Sequence, residues 1–306
     1  MSFDLNKDAD ALRKAMKGLG TDEDAIIKIV ANRTNAYRQK LITTYKGNLG
    51  RDLISDLKSE LGGKLEDVVV GMFLPPVDYL CSELRRSMKG AGTDEQTLLE
   101  ILVSQNNAQM KELKKRYHEM YNRDLEKDVK SDTSGDFEKI LVSLLQANRS
   151  ENTKPNMQDC EAKANQLYDA GAKKLGTDEE TFNRIFATSS KAELTTIAQC
   201  YHKKTGKTIL EAVDSELSGN MKKVYTGIVY ALLSPSEYFA KRFYESMKGA
   251  GTRDKDLMRL CICRDEVDMP QIKQFYKQLY KKDLVDAIKS ETSGDYKKIL
   301  VEIVSH

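Results

Sequence analysis

Four stretches of the 306-residue chain share one pattern of glycine, threonine and acid. They are MKGLGTDE from Met16, MKGAGTDE from Met88, MKGAGTRD from Met247 and a diverged KKLGTDEE from Lys173. A carboxylate stands 40 residues past the second glycine of each: Glu60 after Gly20, Asp132 after Gly92, Glu216 after Gly176 and Glu291 after Gly251. A Gly-x-Gly turn lacks the Cβ atoms that keep backbone carbonyls from converging. Three carbonyls and one bidentate carboxylate would offer about five oxygens, leaving about two of the positions calcium favours to water or a lipid headgroup. Magnesium, held to strict octahedral geometry, suits such a loose set poorly. The turn alone also reads as a helix connection with glycine at a left-handed C-cap, or as an anion cradle at a helix N-terminus. Four copies with a carboxylate at one fixed offset favour the cation. The chain has no Walker lysine–serine pair and no G-x-G-x-x-G after a strand, which argues against a nucleotide fold.

The elements that must position these groups repeat with them. The turn threonines Thr21, Thr93, Thr177 and Thr252 are 72, 84 and 75 residues apart, a repeat architecture. The longer middle gap holds the polar stretch ANRSENTKPNMQDCE, Ala147 to Glu161, which reads as a linker between two halves. Thr21, Thr93 and Thr177 stand where an N-cap belongs, and Thr93 with Gln96 and Thr177 with Glu180 have capping-box spacing. Helical spacing then carries Ile26, Ile29 and Val30, or Leu98, Leu99 and Leu102. A third helix is marked by Tyr37, Leu41 and Tyr45, matched by Ile272, Phe275, Tyr276 and Leu279. A last amphipathic helix holds Phe137, Ile140, Leu141 and Leu144, or Tyr296, Ile299, Leu300 and Ile303. These stripes read as plain core packing. No period-2 run is flanked by hairpin signals, so the fold class is all-α, with about five helices in each repeat and about twenty in all.

The fourfold MKG[LA]GT turn followed by its distant acid resembles the annexin family, from Asp8 to His306, and the long linker between repeats two and three is similar too. The resemblance implies a slightly curved helical disc that binds acidic phospholipid through calcium held on its convex face. It implies that the carbonyls of Met16, Gly18 and Gly20 join Glu60, those of Met88, Gly90 and Gly92 join Asp132, and those of Met247, Gly249 and Gly251 join Glu291. In repeat three Lys173 and Lys174 stand for the methionine and first glycine, leaving Lys173, Gly176 and Glu216 as a departing set. Accessory metal positions are implied at Thr21 with Glu23 and Thr93 with Glu95. The family places repeats two and four around a polar axis, where Glu100 and Arg259, seven past their turn threonines, are expected to pair. The expected segments are a head at 1–7, repeats at 8–75, 76–147, 162–234 and 235–306, and a linker at 148–161. So short a head gives no support for an amphipathic partner-binding helix of the S100-binding type.

Bulk properties narrow the rest. The 49 basic and 47 acidic residues leave a net charge of +2, which argues against nucleic acid as a partner. The longest apolar run, Val68 to Leu74, contains Gly71 and ends at Pro75-Pro76, well short of the ~20 residues of a membrane span. The start, MSFDLNKDAD, lacks signal-peptide blocks. The five cysteines have no CxxC spacing and are expected as free thiols in the cytosol, so the sequons at Asn32 and Asn148 carry no weight. The three histidines, His118, His202 and His306, are scattered, and no nucleophile elbow is present, so no enzyme is expected. The expected protein is cytoplasmic and peripheral on acidic, phosphatidylserine-like membranes when calcium is high, with self-association on membranes allowed. The alternatives are a cytoskeletal scaffold array and a calcium-linked ion-conducting disc.

Overall fold

The computed structural model describes residues 4–18, 20–90, 92–171, 177–249 and 251–306. Among the described residues there are twenty α-helices and no strand. Repeat one holds α1 (Leu5–Ala15), α2 (Glu23–Ala31), α3 (Asn35–Leu49), α4 (Leu53–Glu60) and α5 (Gly63–Phe73). Repeat two holds α6 (Pro76–Ser87), α7 (Glu95–Val103), α8 (Asn107–Tyr121), α9 (Leu125–Asp132) and α10 (Gly135–Leu145). Repeat three holds α11 (Met157–Ala170), α12 (Glu179–Thr188), α13 (Lys191–Thr205), α14 (Ile209–Glu216) and α15 (Gly219–Leu233). Repeat four holds α16 (Pro235–Met247), α17 (Asp254–Arg264), α18 (Met269–Tyr280), α19 (Leu284–Glu291) and α20 (Gly294–Val304). The short fourth helix of every repeat therefore ends on the acid singled out in the sequence.

The helix starts differ from the expected caps. The residue after the threonine is the N-cap: Asp22 accepts from the Ala25 N–H at 3.0 Å, Asp94 from Thr97 at 3.1 Å and Asp178 from Thr181 at 3.3 Å. The pairs Thr93–Gln96 and Thr177–Glu180 form no capping box, because Asp94 and Asp178 already cap those helices and the threonine hydroxyls turn elsewhere. Capping boxes do occur at Asn106 with Gln109, Ser190 with Glu193 and Thr208 with Glu211.

The helices gather into two compact units. One is residues 1–79 with 239–306, which pairs repeats one and four; the other is residues 80–238, which pairs repeats two and three. The pairing rule is the same in both. The second helix of one repeat packs on the last helix of the other: α2 on α20 and α17 on α5, then α7 on α15 and α12 on α10. The apolar stripes meet there, with Ile26, Val30, Ile299, Leu300 and Ile303 fully buried in the first unit and Leu98, Ile140, Leu141, Ile185 and Ile228 in the second. The third-helix stripe is less regular than its spacing suggests: Ile272 and Tyr276 are buried, but Leu279 is exposed.

The linker is tied down in the second unit. The Arg149 guanidinium donates to the carbonyls of Phe186 at 2.9 Å and Ser189 at 2.8 Å, satisfying the C-terminal end of α12. Burial lowers its pKa to about 10. All five cysteines are free thiols, and burial pushes that of Cys261 upward. Among the described residues no helix is long and apolar enough to cross a membrane.

Candidate metal centres

Each turn begins where the first helix of its repeat ends. Past Met16, the chain is turned by Gly18 at φ 125° and Gly20 at φ 92°; past Met88 by Gly90 at 113° and Gly92 at 91°; past Met247 by Gly249 at 104° and Gly251 at 96°. Side chains rarely adopt such φ values, so the backbone conformation itself demands glycine here. A Cβ at any of the six would meet nothing within 4 Å, so each turn borders open space. One backbone bond closes each turn: Asp22 to Ala15 at 2.9 Å, Asp94 to Ser87 at 2.9 Å and Arg253 to Ser246 at 2.8 Å.

The distant acid is brought to the turn in all four repeats, and the turn threonine makes the link. The Thr21 hydroxyl donates to Oε2 of Glu60 at 3.1 Å. The Thr93 hydroxyl lies 2.7 Å from the Asp132 carbonyl and 3.0 Å from its Oδ2. Thr177 bonds the Glu216 carbonyl at 2.8 Å and Thr252 that of Glu291 at 3.1 Å. Glu60 and Glu291 are exposed, and Asp132 and Glu216 are half-buried. Among the described residues no three acids, cysteines or histidines cluster to hold a metal. A cation here would therefore depend on backbone oxygens together with one acid. That all-oxygen donor set, in a turn with room for an ion, fits calcium.

Repeat three has a different register from the one counted in the sequence. Leu167 is buried as Leu12 is, and α11 ends at Ala170 as α1 ends at Ala15. The closing bond runs from Asp178 to Ala170 at 2.8 Å, so this turn is one residue longer than the other three. Gly171 follows the helix where Met16 does in repeat one. A Cβ on Gly171 would meet Cγ of Glu216 at 3.0 Å, so the acid packs against the start of the turn. Lys173, Lys174 and Gly176 lie outside the described residues.

The accessory positions differ among themselves. Glu95 accepts a hydrogen bond from the Asn220 side chain and, with Thr93, Asn220 and Lys223, lines a cavity of about 200 Å³ between repeats two and three. Glu23 is half-buried. In repeat four the same place is held by Asp254, which Lys64 closes at 2.6 Å. Glu100 and Arg259 are each buried in their own unit, and Arg259 bonds Asp256 at 2.8 Å.

One family model, Annexin, matches the chain four times, at residues 7–72, 79–144, 162–228 and 238–303. The chain belongs to the annexin family. Human annexin A4 is 46% identical over 299 residues, 98% of this chain and 94% of that protein. Human annexin A7 is 46% identical over 303 residues, 99% of this chain; the chain spans only 62% of annexin A7's length. Among solved structures, annexin III superposes with a TM-score of 0.95 at 36% identity, covering 100% of this chain and 95% of that one. Chicken annexin V gives 0.94 at 41% identity, with 99% and 96% covered. A calcium-bound annexin (Sm)1 gives 0.86 at 33% identity, with 99% and 90% covered.

Charged clusters in this annexin lie one helical turn upstream of two of the acids, and the sequence reasoning passed over them. Asp56 on α4 accepts from the Tyr45 hydroxyl at 2.7 Å and from Arg51 at 2.6 and 2.7 Å, with Arg13 of α1 at 3.9 Å. Asp128 on α9 accepts from Tyr117 at 2.8 Å and Arg123 at 2.6 Å, with Arg85 of α6 at 3.6 Å. The Arg51 hydrogen bond, aided by Tyr45, holds the Asp56 carboxyl below its usual range. Burial works against ionisation of Asp128, but Arg123 and Tyr117 overcome it and its carboxyl too is held low. The signal was available: an arginine five residues before an aspartate, itself four before the acid, in both GRDLISDLKSE and NRDLEKDVKSD.

Proposed function

We propose that this annexin binds acidic phospholipid membranes through calcium held at its glycine turns. The observation that supports the reading is the threonine link, which ties each turn threonine to its distant acidic residue, through the carboxylate in repeats one and two and through the backbone carbonyl in repeats three and four. The family as a whole is known for calcium-dependent phospholipid binding, and its members are in general not enzymes. In repeat one the proposed ligands are the carbonyls of Met16, Gly18 and Gly20 with Glu60. In repeat two they are those of Met88, Gly90 and Gly92 with Asp132, and in repeat four those of Met247, Gly249 and Gly251 with Glu291. Glu216 serves repeat three. Glu23 and Glu95 are accessory ligands.

The electrostatics follow from the donor set. One carboxylate per divalent ion leaves each occupied site near +1, so four filled sites together carry about +4. A low ligand charge makes for weak binding in water, in the range of about 10⁻⁴ M or weaker. An anionic lipid phosphate supplies the missing charge and oxygen, so calcium and membrane strengthen each other's binding by linkage. Several weak bridges acting together then hold the protein multivalently. This mode needs no membrane span, and the protein is proposed to be cytoplasmic at low calcium. Phosphatidylserine-like headgroups are the proposed lipid, and self-association on the bilayer is a further expectation.

Calcium calorimetry on the wild type and on a Glu60→Gln, Asp132→Asn, Glu216→Gln, Glu291→Gln variant tests the sites directly. The account expects weak calcium uptake by the first and, at the same concentrations, no more than the residual uptake of the Glu23 and Glu95 positions by the second. Equal uptake by both would place the calcium elsewhere.

A further inference from the structure

At equivalent buried helix positions the four repeats are of two kinds. The first helix carries Arg13, Arg85, Tyr168 and Tyr244 at one place, next to buried Leu12, Leu84, Leu167 and Phe243. Four residues before the site acid stand Asp56, Asp128, Ala212 and Ala287, and five before those stand Arg51, Arg123, Lys207 and Lys282. The third helix keeps a buried tyrosine throughout: Tyr45, Tyr117, Tyr201 and Tyr276. Repeats one and two thus hold an arginine–aspartate–arginine cluster around the tyrosine hydroxyl. Repeats three and four lack both ends of it and carry a tyrosine on the first helix instead. In repeat four Tyr244 stacks on Tyr280 with ring centroids 3.9 Å apart, and in repeat three the Lys204 ammonium lies 4.9 Å from the Tyr168 ring centre.

The cluster spans the two halves of the proposed site. Arg13 is three residues before Met16, where the first glycine turn begins, and Asp56 is one helical turn before Glu60. Arg85 and Asp128 stand in the same relation to Met88 and Asp132. Asp56 and Asp128 are only 7% and 6% exposed, and their tyrosine partners are fully buried. A buried carboxylate with several donors has little freedom to move, and breaking such a set leaves a charge uncompensated. Metal affinity depends on outer groups that hold the ligands in place before the ion arrives.

We propose that Asp56 and Asp128 are positioning residues, each clamping the helix that ends in the site acid to the helix that opens the glycine turn. The clamp divides the four sites into an ion-clamped class, repeats one and two, and an aromatic class, repeats three and four. It rests on the calcium reading above and adds which groups outside the ligand set govern affinity. Loss of the carboxylate in one repeat weakens that repeat's site and leaves the others unchanged.

The test uses full-length protein reduced to one site. Asp132→Asn, Glu216→Gln and Glu291→Gln together leave repeat one alone; Glu60→Gln, Asp132→Asn and Glu216→Gln leave repeat four alone. Asp56→Asn is added to each, and calcium is titrated by calorimetry well below the melting temperature. The expected result is a loss of about tenfold in calcium affinity for the repeat-one protein, at the low end for groups outside the ligand shell, and no change for the repeat-four protein. Tyr45→Phe, which keeps the ring and removes one donor, should give a smaller loss in the same direction, and Arg51→Lys should keep most of the affinity. A lower melting temperature with unchanged calcium affinity would overturn the clamp, as would an equal loss in both proteins. Absence of calcium binding by the unmodified repeat-one protein would overturn the site reading itself, and the clamp with it.

Discussion

The Thr93 hydroxyl lies 2.7 Å from the Asp132 carbonyl oxygen and 3.0 Å from its Oδ2, across 39 residues of chain. It takes the place that a helix cap would have claimed, and Asp94 caps α7 instead. Thr93→Val keeps the shape and removes the donor. A net hydrogen bond is worth about 1 kcal/mol, so calcium affinity of the repeat-two site should fall about fivefold while the helix content stays the same. Calcium calorimetry with a circular dichroism spectrum checks both halves. A large loss of helicity would mean that the hydroxyl is a folding group after all.

The four acids should not matter equally. Glu60→Gln, Asp132→Asn and Glu291→Gln each remove a charge and a bidentate clamp, and each should raise the calcium needed for half-maximal vesicle binding by about two- to fivefold, since the remaining bridges still act together. Glu216→Gln should shift it least, because the repeat-three turn carries one extra residue and Lys174. If Glu216→Gln were the most damaging of the four, the longer turn would be the better site.

A pH dependence is built in where repeat four meets repeat one. Burial is the main cause that pushes the Asp265 carboxyl up to about 6, with Arg38 and His306 pulling it down and Glu266 pushing it up. Its folded pKa therefore lies above the unfolded value of about 3.9. The folded state binds the proton more tightly, so this group stabilises the fold at acidic pH and that contribution is lost as pH rises from about 4 through about 6. Asp265→Asn stays neutral throughout. Relative to wild type, the variant should gain about 1 kcal/mol between pH 4 and pH 7.5, a figure reduced for partial exposure. Urea unfolding at the two pH values measures it, and a difference that does not change with pH would contradict the assignment.

Much of this was legible in the sequence, for identifiable reasons. The apolar spacing in Ile299, Leu300 and Ile303 is a local property, and it predicted a buried helix face that the structure bears out. The glycine turns were legible because φ near 90–125° admits little else. The cap position was misread because Thr93 and Asp94 are both good caps, and a contact 39 residues away decides between them. The register of repeat three was hidden for a similar reason: the Asp178–Ala170 bond sets the turn length, and no residue type announces it. Asp56 and Asp128 were passed over because an acid on a short polar helix reads as a solvated face until Tyr45 and Tyr117 are seen beneath it.

The most direct test of the central claim is sedimentation of the wild-type protein with vesicles across a calcium series, using phosphatidylserine–phosphatidylcholine mixtures and phosphatidylcholine alone. The account predicts that the protein stays in the supernatant in excess chelator, pellets with the acidic vesicles as calcium rises, returns to solution on chelation, and binds phosphatidylcholine vesicles far less at every calcium concentration. Equal pelleting with acidic vesicles in the presence of chelator would contradict it.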